Sequence, residues 1–498
     1  MGTPRPNLLL VVADDHAANA VGCYGGPHSV TPRIDTLARD GMRFTECGCT
    51  NSLCAPSRAT ILTGTYNHVN GVTTLSTEFD AVAQPAFPEL LREAGYRTGL
   101  IGKWHLGHGG VHDPRGFDHW EVLPDQGDYH DPTFLTMDGG SQVRPGYATD
   151  LITELSVAWL EETVDDDPDA PWCLLVQHKA PHRPWEPAAR HADLTFESAG
   201  SEPVTFLDDY QDRADAAREA RMRVGRDLTR EDLKGDPPLE VRADPTTYAR
   251  WALNRYLTDY LRCVVAVDEG VGRLLDHLDA TGQADDTVVL YTSDQGFFLG
   301  EHGWYDKRFM YAESLRMPLL VRFPRLVPPG AESDALVLNV DFAQTVLDLA
   351  GVRALERMQG RSMVPLLEGA SAAATGWRES TYYRYWEHLD GSHHVAAHRG
   401  VRTPDRKLVH YYGSGCGQPG ASAQRTPEEW ELFDLARDPT ELHSVHDDPT
   451  YAGDLARLRA ELDRLAAELG DEIPSTSPIT TPTTTPTTTP TTTGRGAL

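Results

Sequence analysis

Asn7-Leu8-Leu9-Leu10-Val11-Val12-Ala13 carries no charge over seven residues and runs directly into Asp14-Asp15-His16. A strand apolar at nearly every position, rather than at alternate ones, is buried on both faces, the pattern of a parallel sheet covered by helices. Similar short aliphatic runs recur at residues 98–102 (TGLIG), 172–178 (WCLLVQH), 287–292 (TVVLYT), 318–323 (PLLVRF) and, more weakly, 335–340. Helical patterns separate them. Residues 86–94 precede the second run. Between the third and fourth, Leu257, Leu261, Val264, Val265, Val271, Leu274, Leu275 and Leu278 fall at helical spacing, with Gly282 as a stop. The expected fold class is therefore α/β, with a large, mostly parallel central sheet flanked by helices and a smaller C-terminal α+β subdomain.

Residues 1–375 are expected to form the main domain. Within it, the charge-dense stretch 186–250, broken by Asp236-Pro237-Pro238, reads as a partly helical insertion over one rim of the sheet. Residues 376–473 form the C-terminal subdomain, with short antiparallel strands at 382–386, 407–412 and 431–434 and an amphipathic helix at 455–469. The Thr/Pro repeats of 474–498 cannot build a core and are expected to be an extended, disordered tail.

The chain has 498 residues, and 45 Lys+Arg against 74 Asp+Glu give a net charge of −29. So acidic a balance argues against nucleic acid or an anionic membrane as partner. No segment approaches the run of about 20 apolar residues that a membrane helix needs. The apolar stretch at 8–13 is too short for a secretory signal, and seven cysteines, an odd number, do not suggest a disulfide framework. The predicted address is the cytoplasm.

Ligands of open α/β sheets bind beyond the carboxyl ends of the strands. Here those ends carry Asp14-Asp15-His16, Lys103-Trp104-His105, Lys179-Ala180-Pro181-His182-Arg183-Pro184 and Ser293-Asp294-Gln295-Gly296. Singly, each reads as a turn, a cap or a solvated side chain. Together, carboxylates converging on one edge would repel one another without a cation, and hard oxygen ligands select Ca²⁺ or Mg²⁺. The sharpest signal is Cys54-Ala55-Pro56-Ser57-Arg58, followed by ATILTG. Pro56 suits a first helical turn, whose free amides favour an anion, and Arg58 adds a cation beside Cys54. An inert buried cysteine ahead of a helix is the plain alternative.

These segments, in this order, resemble the type I sulfatases of the alkaline-phosphatase-like superfamily. The matching pieces are Asp14-Asp15, CAPSRATILTG at 54–64, GKWHLG at 102–107, Pro181-His182-Arg183-Pro184, TSDQG at 292–296 and Gly300-Glu301-His302-Gly303 through Lys307, with WELFDL at 430–435 also fitting. The resemblance implies a sulfuric ester hydrolase in which a separate formylglycine-generating enzyme oxidises Cys54 to formylglycine (3-oxoalanine), C-x-P-x-R being the recognition sequence. It implies that Asp14, Asp15, Asp294 and Gln295, with the modified Cys54, hold one divalent cation, Ca²⁺ or alternatively Mg²⁺. Gln295 departs from the family pattern, which more often has Asn or His. Arg58 and Lys103 would stabilise developing charge, His105 would act as a base in sulfate release, and His182 or Lys307 would protonate the leaving alcohol. His302, and within 382–398 His388, His393, His394 or His398, would contact the substrate, with loop or strand structure an equal expectation. The substrate class implied is a sulfated carbohydrate or an aryl sulfate. Two alternatives stand beside it: a phosphonate monoester or phosphodiester hydrolase with the same nucleophile and metal, and a metal-binding scaffold whose Cys54 is never converted.

Overall fold

The computed structural model describes residues 5–471; the Thr/Pro tail lies outside the described residues. Ten strands form one twisted sheet. Its centre is five parallel strands in the order Thr287–Ser293, Asn7–Ala13, Trp172–Gln177, Arg97–Lys103, His119–Leu123. Asn7–Ala13 sits between two parallel neighbours, which accounts for its unbroken apolar run. Successive side chains of a strand point to opposite faces. Accordingly Leu8 and Leu10 enter the core shared with the Cys54–Thr63, Phe87–Glu93 and Phe342–Leu349 helices. Leu9, Val11 and Ala13 enter the core shared with the Ala148–Asp166 and Pro245–Ala280 helices.

The edges depart from the sequence reading. Leu319–Arg322 joins the sheet antiparallel to Thr287–Ser293, because the intervening segment holds only a small ladder of Phe298–Leu299 with Tyr305–Asp306, a 3₁₀ turn and the four-residue Ala312–Leu315 helix, and supplies no crossover helix. The aliphatic run at 335–340 is not a strand of the main sheet. Its Val337–Leu338 pairs with Cys47–Gly48 in a separate ladder and continues into a 3₁₀ turn at Asn339–Asp341. Short edge strands at Met42–Phe44, Thr133–Thr136 and Ser141–Val143 are too brief to stand out in the sequence.

The C-terminal subdomain is a four-stranded antiparallel sheet, Thr381–Tyr385, His398–Arg402, Arg406–Tyr411 and Glu429–Asp434, backed by the Ala452–Leu469 helix through Leu458, Leu462 and Ala466. The 186–250 segment contains only short helices before Pro245, yet its Ala217, Ala220 and Met222 are fully buried. Backbone bonds from Tyr305 N to Met222 O (2.9 Å), Val224 N to Gly303 O (2.8 Å) and Arg221 N to His393 O (2.7 Å) fasten it to the loop after the Thr287–Ser293 strand and to the C-terminal subdomain.

Candidate active site

Two adjacent parallel strands end on acids: Asp14 and Asp15 follow Asn7–Ala13, and Asp294 follows Thr287–Ser293, with Ala13 in register with Ser293. All three carboxylates are buried, and one oxygen from each lies within 4.8 Å of the others. Asp14, Cys54 and His182 form a second cluster of the same tightness. Cys54 opens its helix, so it stands at the end where amide N–H groups lack helical partners. The helix is anchored through Ser57, whose hydroxyl donates to the Asp294 carbonyl and accepts from Asn339 Nδ2 at 2.8 Å. It is closed by Gly64 at φ +62°.

Each carboxylate has its own cation. Lys103 Nζ contacts Asp14 Oδ2. Lys307 Nζ donates to both Asp15 oxygens at 2.6 and 2.7 Å. Arg58 Nε donates to Asp294 Oδ2 at 3.0 Å, while its Nη1 donates to Lys103 O (2.8 Å) and Gln177 Oε1 (2.6 Å). The balance of burial and charge differs among the acids. For Asp14, burial is outweighed by Lys103, His182 and Arg58, and the carboxyl lies well below its ordinary range. Burial wins at Asp15, raised to about 6 against the pull of Lys307, and at Asp294, raised to about 8 by burial and the neighbouring Asp14.

The donors fit a hard divalent cation. Asp14 Oδ1 and Gln295 Oε1 are buried acceptors without a hydrogen-bond partner, while Gln295 Nε2 is spent on Asp15 Oδ1. An all-oxygen set with two free acceptors and two carboxyls resisting ionisation is what Ca²⁺ or Mg²⁺ would satisfy.

Beside this cluster lies a cleft of about 450 Å³ lined by Cys54, Lys179, His182 and Lys307, of which Lys307 contacts Asp15, and Cys54 and His182 cluster with Asp14. His182 uses Nδ1 on the Arg183 carbonyl (2.5 Å) and holds Nε2 3.7 Å from Asp15 Oδ2. His105 is reached through Gln126, whose Nε2 lies 3.1 Å from His105 Nε2 and whose Oε1 accepts from Lys103. Burial first, then the charge of Lys103, holds both histidines well below their ordinary pKa. The outer wall carries Asp306, Arg308, Glu387, Asp390 and His393. There His393 pairs with Asp390 (3.1 Å) and Asp306 (3.4 Å).

The other histidines lie elsewhere. His302 is fully enclosed, between Asp208 (3.2 Å) and Glu313 (3.7 Å) and against Trp304 and Tyr311. His398 is packed among Tyr383, Tyr385 and Tyr411. His388 accepts from Ala397 N, and the half-buried His394 donates its backbone N–H to Asp390 O; none of these four lines the cleft. Gln126, Asp306, Arg308, Glu387 and Asp390 went unnoticed in the sequence. Asp306 and Arg308 could have been signalled as neighbours of Lys307, and Glu387 and Asp390 as acids interleaved with the histidines of 382–398; nothing in the sequence signals Gln126.

Comparison with known proteins matches this geometry to a family. The sulfatase family model covers residues 6–352, and the model described as N-sulphoglucosamine sulphohydrolase, C-terminal, covers 300–468. An N-acetylglucosamine-6-O-sulfatase of Bacteroides thetaiotaomicron is 40% identical over 513 residues, spanning 95% of this chain and 88% of that protein. A solved structure of a protein in complex with its substrate D-glucosamine-2-N,6-O-disulfate superposes with a TM-score of 0.81 at 40% identity, covering 94% of this chain and 99% of the other. The phosphonate monoester hydrolase of Agrobacterium radiobacter superposes with a TM-score of 0.73 over 93% of this chain and 96% of its own, but at 23% identity it shares the fold alone. The chain thus belongs to the sulfatase family, an alkaline-phosphatase-like group of sulfuric ester hydrolases.

Proposed function

We propose that this enzyme removes the 6-O-sulfate from a glucosamine-based saccharide, using formylglycine generated from Cys54 by a separate maturation enzyme. The observation that carries the substrate reading is the 40% identity, across nearly all of both chains, to a relative named for the 6-O-sulfate of N-acetylglucosamine. The cleft is consistent with it. Its outer wall of Asp306, Arg308, Asp390 and His393 offers charge-assisted hydrogen bonds to sugar hydroxyls.

Burial and the nearby Asp14 push the Cys54 thiol up, so little thiolate forms near neutral pH. The hydrated aldehyde of formylglycine instead presents hydroxyl oxygens to the cleft. Asp14, Asp15, Asp294 and Gln295 would hold the cation, Ca²⁺ or Mg²⁺, which when bound supplies positive charge to a hydroxyl and to sulfate oxygens. Arg58 and Lys103, locked in place by Asp294 and Asp14, add fixed positive charge beneath the sulfate that needs no reorganisation during reaction. Lys307, seated on Asp15, and His182 flank the ester oxygen. His105, held neutral, accepts a proton as sulfate is released, with Gln126 fixing its ring.

The test is sulfate release from N-acetylglucosamine 6-sulfate, its 3-sulfate isomer and 4-nitrophenyl sulfate by converted enzyme. The 6-sulfate is expected to give the highest kcat/KM; preference for either of the others overturns the substrate reading.

A further inference from the structure

Two chain segments bring position 54 and Lys307 to the cleft, residues 49–54 and 305–316. Lys307 follows the two-residue strand Tyr305–Asp306 and precedes an irregular stretch that ends at the short Ala312–Leu315 helix. On either side of it, Asp306 and Arg308 hold φ at +75° and +89°. Side chains other than glycine rarely adopt that backbone, so it persists only where the surroundings impose it.

The C-terminal sheet and the chain just after it grip this stretch from behind. Lys407 Nζ donates to Met310 O at 2.7 Å, the Tyr311 hydroxyl donates to Glu431 at 3.0 Å, and Ala312 N donates to Glu441 Oε2 at 2.7 Å. A fourth bond lies nearer Lys307 along the chain, where the Tyr383 hydroxyl donates to Arg308 O at 2.6 Å. The same hydroxyl accepts from Ser52 N at 3.2 Å. One oxygen atom thus joins the residue after Lys307 to the segment two residues ahead of Cys54. Ser52 Oγ to Ser314 O (3.1 Å) and Cys49 N to Leu315 O (3.1 Å) join the two segments again, farther from Lys307. Tyr383 is fully buried with its ring stacked on His398, and burial pushes its phenol up, so the hydroxyl keeps the proton it donates. Without that hydroxyl, a buried backbone N–H and a buried carbonyl would each lose a partner, and the two segments would shift to find others.

We propose that Tyr383 is a positioning residue for sulfate ester cleavage, its hydroxyl setting the separation between the nucleophile at position 54 and Lys307. Tyr383 does not line the cleft, so it acts through the two backbones it joins. Misplacement of reacting groups by about 1 Å costs on the order of a hundredfold in rate, which gives a single remote hydroxyl leverage over turnover.

This inference rests on the placement of Lys307 at the ester oxygen under the proposed function, and a double-mutant cycle separates the two. kcat and KM are measured on the fastest of the three esters above for converted wild type, Tyr383→Phe, Lys307→Met and the double variant, each normalised to its formylglycine content. Thermal melts and hydrogen-exchange mass spectrometry accompany them. Tyr383→Phe is expected to lower kcat about 10- to 100-fold with KM within about threefold of wild type, and to cost little more once Lys307 is methionine. Exchange is expected to quicken about tenfold in peptides covering 49–54 and 305–311 and to keep the wild-type rate elsewhere. Where Lys307→Met is too slow to assay, the kcat and KM of Tyr383→Phe and its exchange pattern decide. An equal loss from Tyr383→Phe in both backgrounds, wild-type kcat, or exchange that quickens everywhere or nowhere overturns the proposal. A Lys307→Met enzyme as active as wild type instead removes the role given to Lys307, and this proposal with it.

Discussion

Arg58 spans the carboxylate of Asp294, the backbone of Lys103 and the amide of Gln177, a set of bonds that only a fork of N–H donors makes at once. Its importance was legible because it stands in a motif of fixed spacing. So was that of the acids, which follow apolar strands. Gln126 was not legible, since its role is to bridge two residues, Lys103 and His105, that mean nothing to it in sequence. Of the histidines in 382–398, His393 reaches the cleft, and the neighbouring His394 does not. His302 sits among family-like residues but is a buried ion-pair partner. Burial disfavours its charge, yet Asp208 and Glu313 outweigh that and raise it to about 9. A raised pKa contributes stability that is complete below the unfolded value near 6.5 and is lost as pH climbs through about 9. His302→Gln is therefore expected to be less stable than wild type at pH 6, with the gap in Tm narrowing by pH 9.5; thermal melts across that range check it, and a gap independent of pH contradicts it.

The elements that carry the site are held by close backbone approach as well as by side chains. At the end of the Arg97–Lys103 strand, Gly102 has φ +110°, and a Cβ there would lie 2.0 Å from the Gln177 carbonyl of the neighbouring strand. Only glycine lets Lys103 leave the sheet at this angle. Gly102→Ala should cost about 2–4 kcal/mol, read by urea unfolding, and should lower activity by displacing Lys103. An unchanged midpoint would mean that the strand end yields. The central strands could be read from sequence because burial on both faces leaves a continuous apolar run. The edge strands could not, being three or four residues long and set by tertiary pairing. The antiparallel entry of Leu319–Arg322 likewise depends on the loop before it, which is shaped by the catalytic cluster rather than by local propensity.

Across the whole molecule, a chain with a net charge of −29 gathers Arg58, Lys103, Lys179 and Lys307 around one carboxylate cluster. Field focusing in such a cleft favours a sulfate ester despite the overall repulsion. The loop between Tyr385 and His398 forms the outer wall together with Asp306 and Arg308, and the insertion braces it from behind through the Arg221 N to His393 O bond; that wall was the least legible part, because it is assembled from segments distant in sequence. A cation bound by the folded site and not by the unfolded chain stabilises the whole protein, by about 2.7 kcal/mol at a hundredfold excess over its Kd. Chelation should therefore lower Tm, and Ca²⁺ or Mg²⁺ should restore it. Asp14→Asn should abolish that response, whereas a wild-type Tm indifferent to chelator would contradict a resident cation.

The most direct measurement is the rate of sulfate release as a function of the fraction of Cys54 converted to the aldehyde, quantified by peptide mass spectrometry on preparations matured to different extents. The rate should rise in proportion to that fraction and vanish when Cys54 remains a thiol. Undiminished release from wholly unconverted protein would contradict the account.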